Sequence, residues 1–249
     1  MENNTKRRRG IYLLPNLFTT AALFAGFYAI VAAMDSNFEK AAIAIFIAMV
    51  LDGLDGRVAR MTNTQSEFGA EYDSLSDMVS FGLAPALVMY EWVLQGMGKI
   101  GWLAAFIYVA AAALRLARFN TQVAVADKGY FQGLASPAAA AIVAGAVWVG
   151  EGYQLHDFVR SWGAVALTII AGVLMVSNIR YYSFKTFDLK GRVPFVAMLI
   201  VVLIFVLISI DPPQVLWSVF LLYAISGPVL TILLLIRHRK RREEKRREE

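Results

Sequence analysis

Apolar residues in this chain gather into long blocks, separated by short polar or basic intervals. Eight blocks can be drawn, at roughly 15–34, 38–60, 74–94, 101–119, 134–151, 161–178, 194–210 and 214–236. Most approach the ~20 residues that an α-helix needs to cross a bilayer. The second weakens toward its C-terminal end, where aspartates appear, and the fifth is short and rich in alanine. The pattern predicts an all-α fold, a polytopic membrane helix bundle of about eight transmembrane helices. The alternative is a large soluble bundle, and composition weighs against it. Hydrophobic residues make up 58% of the chain, and the mean hydropathy is +0.56. Soluble domains hold about half apolar residues.

Charge turns the blocks into a topology. If the N-terminus is cytoplasmic, every lysine and arginine except Lys40, Lys99 and Arg160 falls on the cytoplasmic side. Basic residues in short loops mark that side. Both termini are therefore expected in the cytoplasm. The expected organisation is a basic lead over 1–14, a membrane domain over 15–236 and a charged tail over 237–249. The tail alternates RR and EE blocks and is read as a frayed helix resting near anionic headgroups. The net charge of +5 is a topology signal, and no nucleic-acid partner is expected. No cysteine is present, which excludes disulfide and thiol chemistry. The first apolar run is long and lacks a small-residue cleavage site, so the first helix is expected to be retained. These features fit the inner, cytoplasmic membrane of a bacterium.

The chemistry lies where the second block meets the third. The run DGLDGRVAR spans Asp52 to Arg60, eight residues follow, and then come Gly69, Asp73 and Asp77. On a helix, Asp52, Asp55, Gly56 and Ala59 fall on one stripe at i, i+3, i+4 and i+7. Gly69, Asp73 and Asp77 fall on one stripe of the next helix. The loop between them is short and polar, with Ser66 placed to cap the following helix. Facing stripes would bring four carboxylates to one point beside a bilayer, a cluster too costly to leave without countercharge. Hard oxygen donors of this kind suit Mg²⁺ or Mn²⁺. Two ions between such helices can clamp a diphosphate. A loosely held carboxylate can take a proton from an attacking hydroxyl. Gly56 and Ala59 leave room against the helix backbone. Small residues at this spacing also serve helix packing, and intramembrane aspartates also line ion pathways. A cation transporter is therefore the rival from another class, although it leaves Gly56, Ala59 and Arg60 unexplained.

The pattern D-x₂-D-G-x₂-A-R-x₈-G-x₃-D-x₃-D resembles the signature of the CDP-alcohol phosphotransferase family. Asp52, Asp55, Gly56, Ala59, Arg60, Gly69, Asp73 and Asp77 match it at every fixed position. The resemblance implies an integral membrane enzyme that moves a phosphatidyl group from CDP-diacylglycerol to an alcohol and releases CMP. It implies that Asp52, Asp55 and Asp73 hold two metal ions, Mg²⁺ or Mn²⁺. Asp77 would complete the metal site and act as general base. Gly56, Ala59, Arg60 and Gly69 would border the nucleotide and diphosphate. Asn16, beside Pro15 at the start of the first block, can reach the same group or simply cap its helix. The resemblance also implies a homodimer.

The signature does not name the acceptor. The stretches RGIYLLPNLFT, SLSDMVSFGLAPA, RLARFN, SPAAA and SNIRYYSFK resemble the serine-using branch of the family, over residues 10 to 195. L-serine is the expected acceptor, with glycerol 3-phosphate or an inositol phosphate as alternatives. Serine carries a carboxylate, which a fork of arginine donors suits. Arg118 and Arg180 are candidates, with Asn120, Ser136, Asn178 and Lys185 at the same level. The tyrosines Tyr181 and Tyr182 are read as an interfacial belt. His156 and His238 receive no catalytic role.

Overall fold

The computed structural model describes residues 13–122, 130–153, 156–182 and 195–248. The elements are α1 (Leu13–Met34), α2 (Phe38–Thr62), α3 (Glu67–Asp77), α4 (Ala84–Trp92), α5 (Lys99–Gln122), β1 (Tyr130–Gln132), α6 (Ser136–Glu151), α7 (Asp157–Val176), β2 (Arg180–Tyr182), α8 (Phe195–Ile210) and α9 (Pro212–Glu248). A π-helical turn, Met78–Leu83, joins α3 to α4, and a 3₁₀ turn, Leu94–Met97, precedes α5. Each apolar block is helical. Four stretches, Leu14–Met34, Lys99–Thr121, Asp157–Val176 and Pro212–Ile232, are long and apolar enough to cross a bilayer, and α6 is a shorter apolar helix. Large apolar side chains such as Phe24, Phe27, Phe106, Phe205 and Leu222 are exposed. An outside of this kind suits hydrocarbon rather than water. The protein is a membrane-embedded helical bundle.

Small residues set how closely the helices approach. Ala25, Ala29, Ala32 and Ala33 of α1 are buried with Ala41, Ala42, Ala44 and Ala48 of α2. Without bulky side chains at the seam the two backbones pack tightly, which supplies dispersion contacts where lipid offers no hydrophobic drive. Gly26 lets α1 meet the π turn, because a Cβ there would stand 2.7 Å from the Cα of Ser80.

The π turn has a local cause. Pro85, in the first turn of α4, has no N–H for the carbonyl four residues back. That carbonyl belongs to Phe81, and the fully buried Tyr108 hydroxyl of α5 donates to it at 3.0 Å. The Ala84 N–H reaches Val79 instead, five residues back, as a π turn requires. Pro15 lies third in α1 rather than first, still within the turn whose N–H groups lack helical acceptors.

Two local features differ from expectation. A two-stranded antiparallel ribbon interrupts the helices, pairing Phe131 with Tyr181 and Gln132 with Arg180. Gly133 ends β1 with φ +76°, and a Cβ there would stand 2.2 Å from the Met175 carbonyl. Tyr181 is no belt residue. It is buried, stacks at a tilt on Tyr223 and donates to the Ala224 carbonyl of α9 at 3.0 Å. The charged tail is helical, as the sequence led one to expect, and α9 runs from the last membrane block to Glu248.

Candidate active site

The turn between α2 and α3 is set by local chemistry. Asn63 takes the left-handed conformation, φ 50° and ψ 44°, which asparagine tolerates better than most residues. Its N–H bonds Arg60, and the Thr64 N–H bonds Ala59 at 3.1 Å, the paired geometry of a Schellman stop. Ser66 is extended and accepts from the Gly69 N–H at 3.0 Å, capping α3 as its position predicts. Only residues 63–66 separate the helices. The stripes therefore face each other.

Asp52, Asp55 and Asp73 each offer an oxygen within 4.8 Å of the others. Asp55 is 5% exposed, while Asp52 and Asp73 are half-buried. Asp77, one turn beyond Asp73, lies near enough for the charges of Asp52 and Asp73 to act on it. Three carboxylates at this spacing match the scale of divalent coordination. Oxygens about 2.1 Å from an ion on opposite sides stand ~4 Å apart. Hard oxygen donors converging from two facing helices also fit Mg²⁺ or Mn²⁺ in kind.

Neighbouring elements hold the carboxylates in place. Thr19 of α1 donates to Asp55 Oδ2 at 2.8 Å. Ser76 donates to the Thr19 carbonyl at 3.1 Å, and Ser80 to the Ala22 carbonyl at 3.0 Å. Arg115 of α5 faces the acidic group, and its charge acts on Asp77 and Asp52. Its Nη1 donates to Ser136 Oγ at 2.7 Å. Ser136 is fully buried, so its hydroxyl serves Arg115 rather than an open pocket.

The other predicted residues take these positions. Among the described residues, a Cβ on Gly56 would meet only Arg60 Nη1, at 3.7 Å, so the helix face there is open and Arg60 lies over it. Arg60 is also near enough for its charge to act on Asp55. Ala59 is half-buried on the same stripe. Asn16 comes up against Gly69, 3.5 Å from where a Cβ would stand. Arg118 donates to Asn178 at 3.3 Å, and Asn120 donates to Ser74 at 3.0 Å. Arg180 is exposed at the end of the ribbon. Lys185 lies outside the described residues. The structure thus gathers the aspartates, Gly56, Arg60 and Gly69 on one hairpin, with Asn16 of α1 against it. Arg118 and Asn178 form a pair, Ser74 and Asn120 another.

Sequence reasoning gave no role to one residue of this site, Thr19. The signal for Thr19 was slight, the first of two adjacent threonines four and five residues beyond Pro15 on an apolar helix. Arg115, at the cytoplasmic end of its block, read equally as a topology residue and as a serine or phosphate contact.

Comparison with known proteins agrees with this geometry. Residues 12–170 match the family model described as CDP-alcohol phosphatidyltransferase. A Helicobacter pylori protein named CDP-diacylglycerol–serine O-phosphatidyltransferase is 40% identical over 228 residues, covering 91% of this chain and 94% of that protein. A Mycobacterium tuberculosis protein of the same name is 38% identical over 191 residues, covering 72% of this chain and 65% of its own. An archaetidylserine synthase of Methanothermobacter thermautotrophicus is 33% identical over 180 residues, covering 72% and 73%.

Proposed function

This chain belongs to the CDP-alcohol phosphatidyltransferase family, and we propose that it transfers the phosphatidyl group of CDP-diacylglycerol to L-serine, releasing CMP. The observation that carries this reading is the meeting of Asp52, Asp55 and Asp73 across the α2–α3 hairpin. Serine is favoured because relatives that differ in lipid, one phosphatidyl and one archaetidyl, both carry serine in their names.

The roles follow from position. Asp52, Asp55 and Asp73 would hold two divalent cations, Mg²⁺ or Mn²⁺, with Asp77 completing the set, and such ions neutralise a diphosphate and its leaving oxygen. Asp77 takes the proton of the serine hydroxyl. The freed oxygen attacks the phosphorus that carries diacylglycerol, a new P–O bond forms, and the P–O bond to CMP breaks. Gly56 and Ala59 leave an open helix face for the nucleotide. Arg60, Gly69 and Asn16 border the diphosphate. Arg118 and Asn178, already paired, offer donors for the serine carboxylate. Asn120, Arg180 and Lys185 remain as further candidate contacts, whereas Ser136, buried against Arg115, would act only through that arginine. The basic residues at this end support a site at the cytoplasmic face, with eight crossings and both termini inside.

The test is an acceptor assay. Purified protein receives CDP-diacylglycerol, Mn²⁺ and one of serine, glycerol 3-phosphate or inositol phosphate. CMP and lipid product are measured. CMP should appear with serine. CMP release with another alcohol and none with serine refutes the acceptor. No release with any alcohol refutes the reading as a whole.

A further inference from the structure

Thr19 lies on α1, outside the run that carries the carboxylates, yet it touches both carboxylate helices. It is 4% exposed, and its Oγ1 stands 2.8 Å from Asp55 Oδ2. The same hydroxyl lies 3.2 Å from the Pro15 carbonyl, its local helical acceptor. A hydroxyl has one proton to give. Hydrogen bonds to carboxylates are the shorter and stronger kind, so the proton goes to Asp55. The Thr19 carbonyl accepts from Ser76, which directly precedes Asp77. One residue thus grips a side chain on α2 and sets the height of α3.

We propose that Thr19 is a positioning residue for the cation centre, its hydroxyl fixing the Asp55 carboxylate in the orientation shared with Asp52 and Asp73. This rests on the metal reading given above. Three like charges within 4.8 Å repel one another, and a free aspartate turns away about its side-chain torsions. A bond from a rigid donor removes that freedom before the ion arrives. Threonine suits the task. Its branched Cβ restricts χ1, and in a helix the hydroxyl is already drawn toward the carbonyl four residues back. The rotamer seen here satisfies that preference and reaches Asp55 as well. The ligand's orientation therefore comes from a different helix, and from a group that never meets the ion.

The test compares Thr19→Val, which keeps the shape and removes the donor, with Thr19→Ser, which keeps the donor. Mn²⁺ binding is read without substrate, from the EPR signal of the free ion. Melting without metal and the Mn²⁺ dependence of CMP release are measured beside it. T19V should raise the Mn²⁺ dissociation constant by about 10–100-fold. T19S should stay with the wild type, and metal-free melting should be alike in all three. Wild-type affinity in T19V overturns the proposal. So does a T19S as weak as T19V, since the hydroxyl would then not be the cause. Thr19→Ala replaces T19V if valine misfolds. If neither variant folds while T19S does, Thr19 supports the fold rather than the ion, and the proposal falls. A wild type that binds no Mn²⁺ removes the metal reading itself, an outcome distinct from T19V alone being unaffected.

Discussion

Gly26→Ala tests how the carboxylate helices are held together. The added methyl would stand 2.5 Å from Ser80 Oγ and 2.7 Å from Ser80 Cα. The second distance decides the outcome, because a backbone atom cannot rotate aside. Ordinary contact begins at 3.4 Å, so α1 and the π turn must part by about 0.7 Å. Overpacking of this kind costs ~1–3 kcal/mol. At about 2 kcal/mol, the melting temperature of a chain this size falls by ~4–8 °C. The seam that opens carries the Ser80–Ala22 and Ser76–Thr19 bonds. Parting it moves Asp73 and Asp77 relative to Asp55. Misplacing reacting groups by ~1 Å can cost ~10²-fold in rate, so a shift of about 0.7 Å should cost roughly 10–100-fold. The assay is CMP release from CDP-diacylglycerol and serine, with melting followed in the same detergent. Gly163→Ala is the control, because no described residue lies within 4 Å of its added methyl. If G26A keeps both the melting point and the rate of G163A, close packing at this seam does not hold the site together.

Other outcomes follow from the same geometry. Asp77→Asn should lower turnover by ~10²–10⁴-fold, the range of a lost general base, with Asp52, Asp55 and Asp73 left to bind Mn²⁺ in the EPR titration. A near-normal rate would remove Asp77 from the proton transfer. EDTA should abolish CMP release, with Mn²⁺ or Mg²⁺ restoring it, and full activity in chelator would deny a metal role. Tyr108→Phe strands the Phe81 carbonyl, at a cost of ~1–3 kcal/mol, and should lower melting by several degrees without changing the serine KM. Arg118→Ala should raise the serine KM more than it lowers kcat, and an unchanged KM would place the carboxylate elsewhere.

The acidic centre was legible because it is written in helical periodicity. Asp52, Asp55, Asp73 and Asp77 repeat at three and four residues, and the turn between the helices is short. The Ser66 cap was legible for the same reason, being a local bond between residues three apart. What escaped is held by long-range contacts. Nothing near Thr19 in sequence announces Asp55, thirty-six positions away. Tyr181 looked interfacial because its burial depends on α9, whose Gly227 opens space for its ring. The ribbon strands are three residues each, too short to register against the apolar blocks. The π turn escaped as well, because the Tyr108 hydroxyl that serves the Phe81 carbonyl lies twenty-seven positions away on another helix.

That widened turn sets a phase relation along one continuous rod. Each extra residue advances the side-chain direction by about 100°. The aspartates of α3 thus point toward the hairpin, while Val88 and Met89 of α4 point into the interior. Removing a single residue between Met78 and Leu83 would scarcely shorten the rod. It would swing one of these two faces toward the wrong neighbour. Length along this stretch is therefore forgiving, whereas residue count is not.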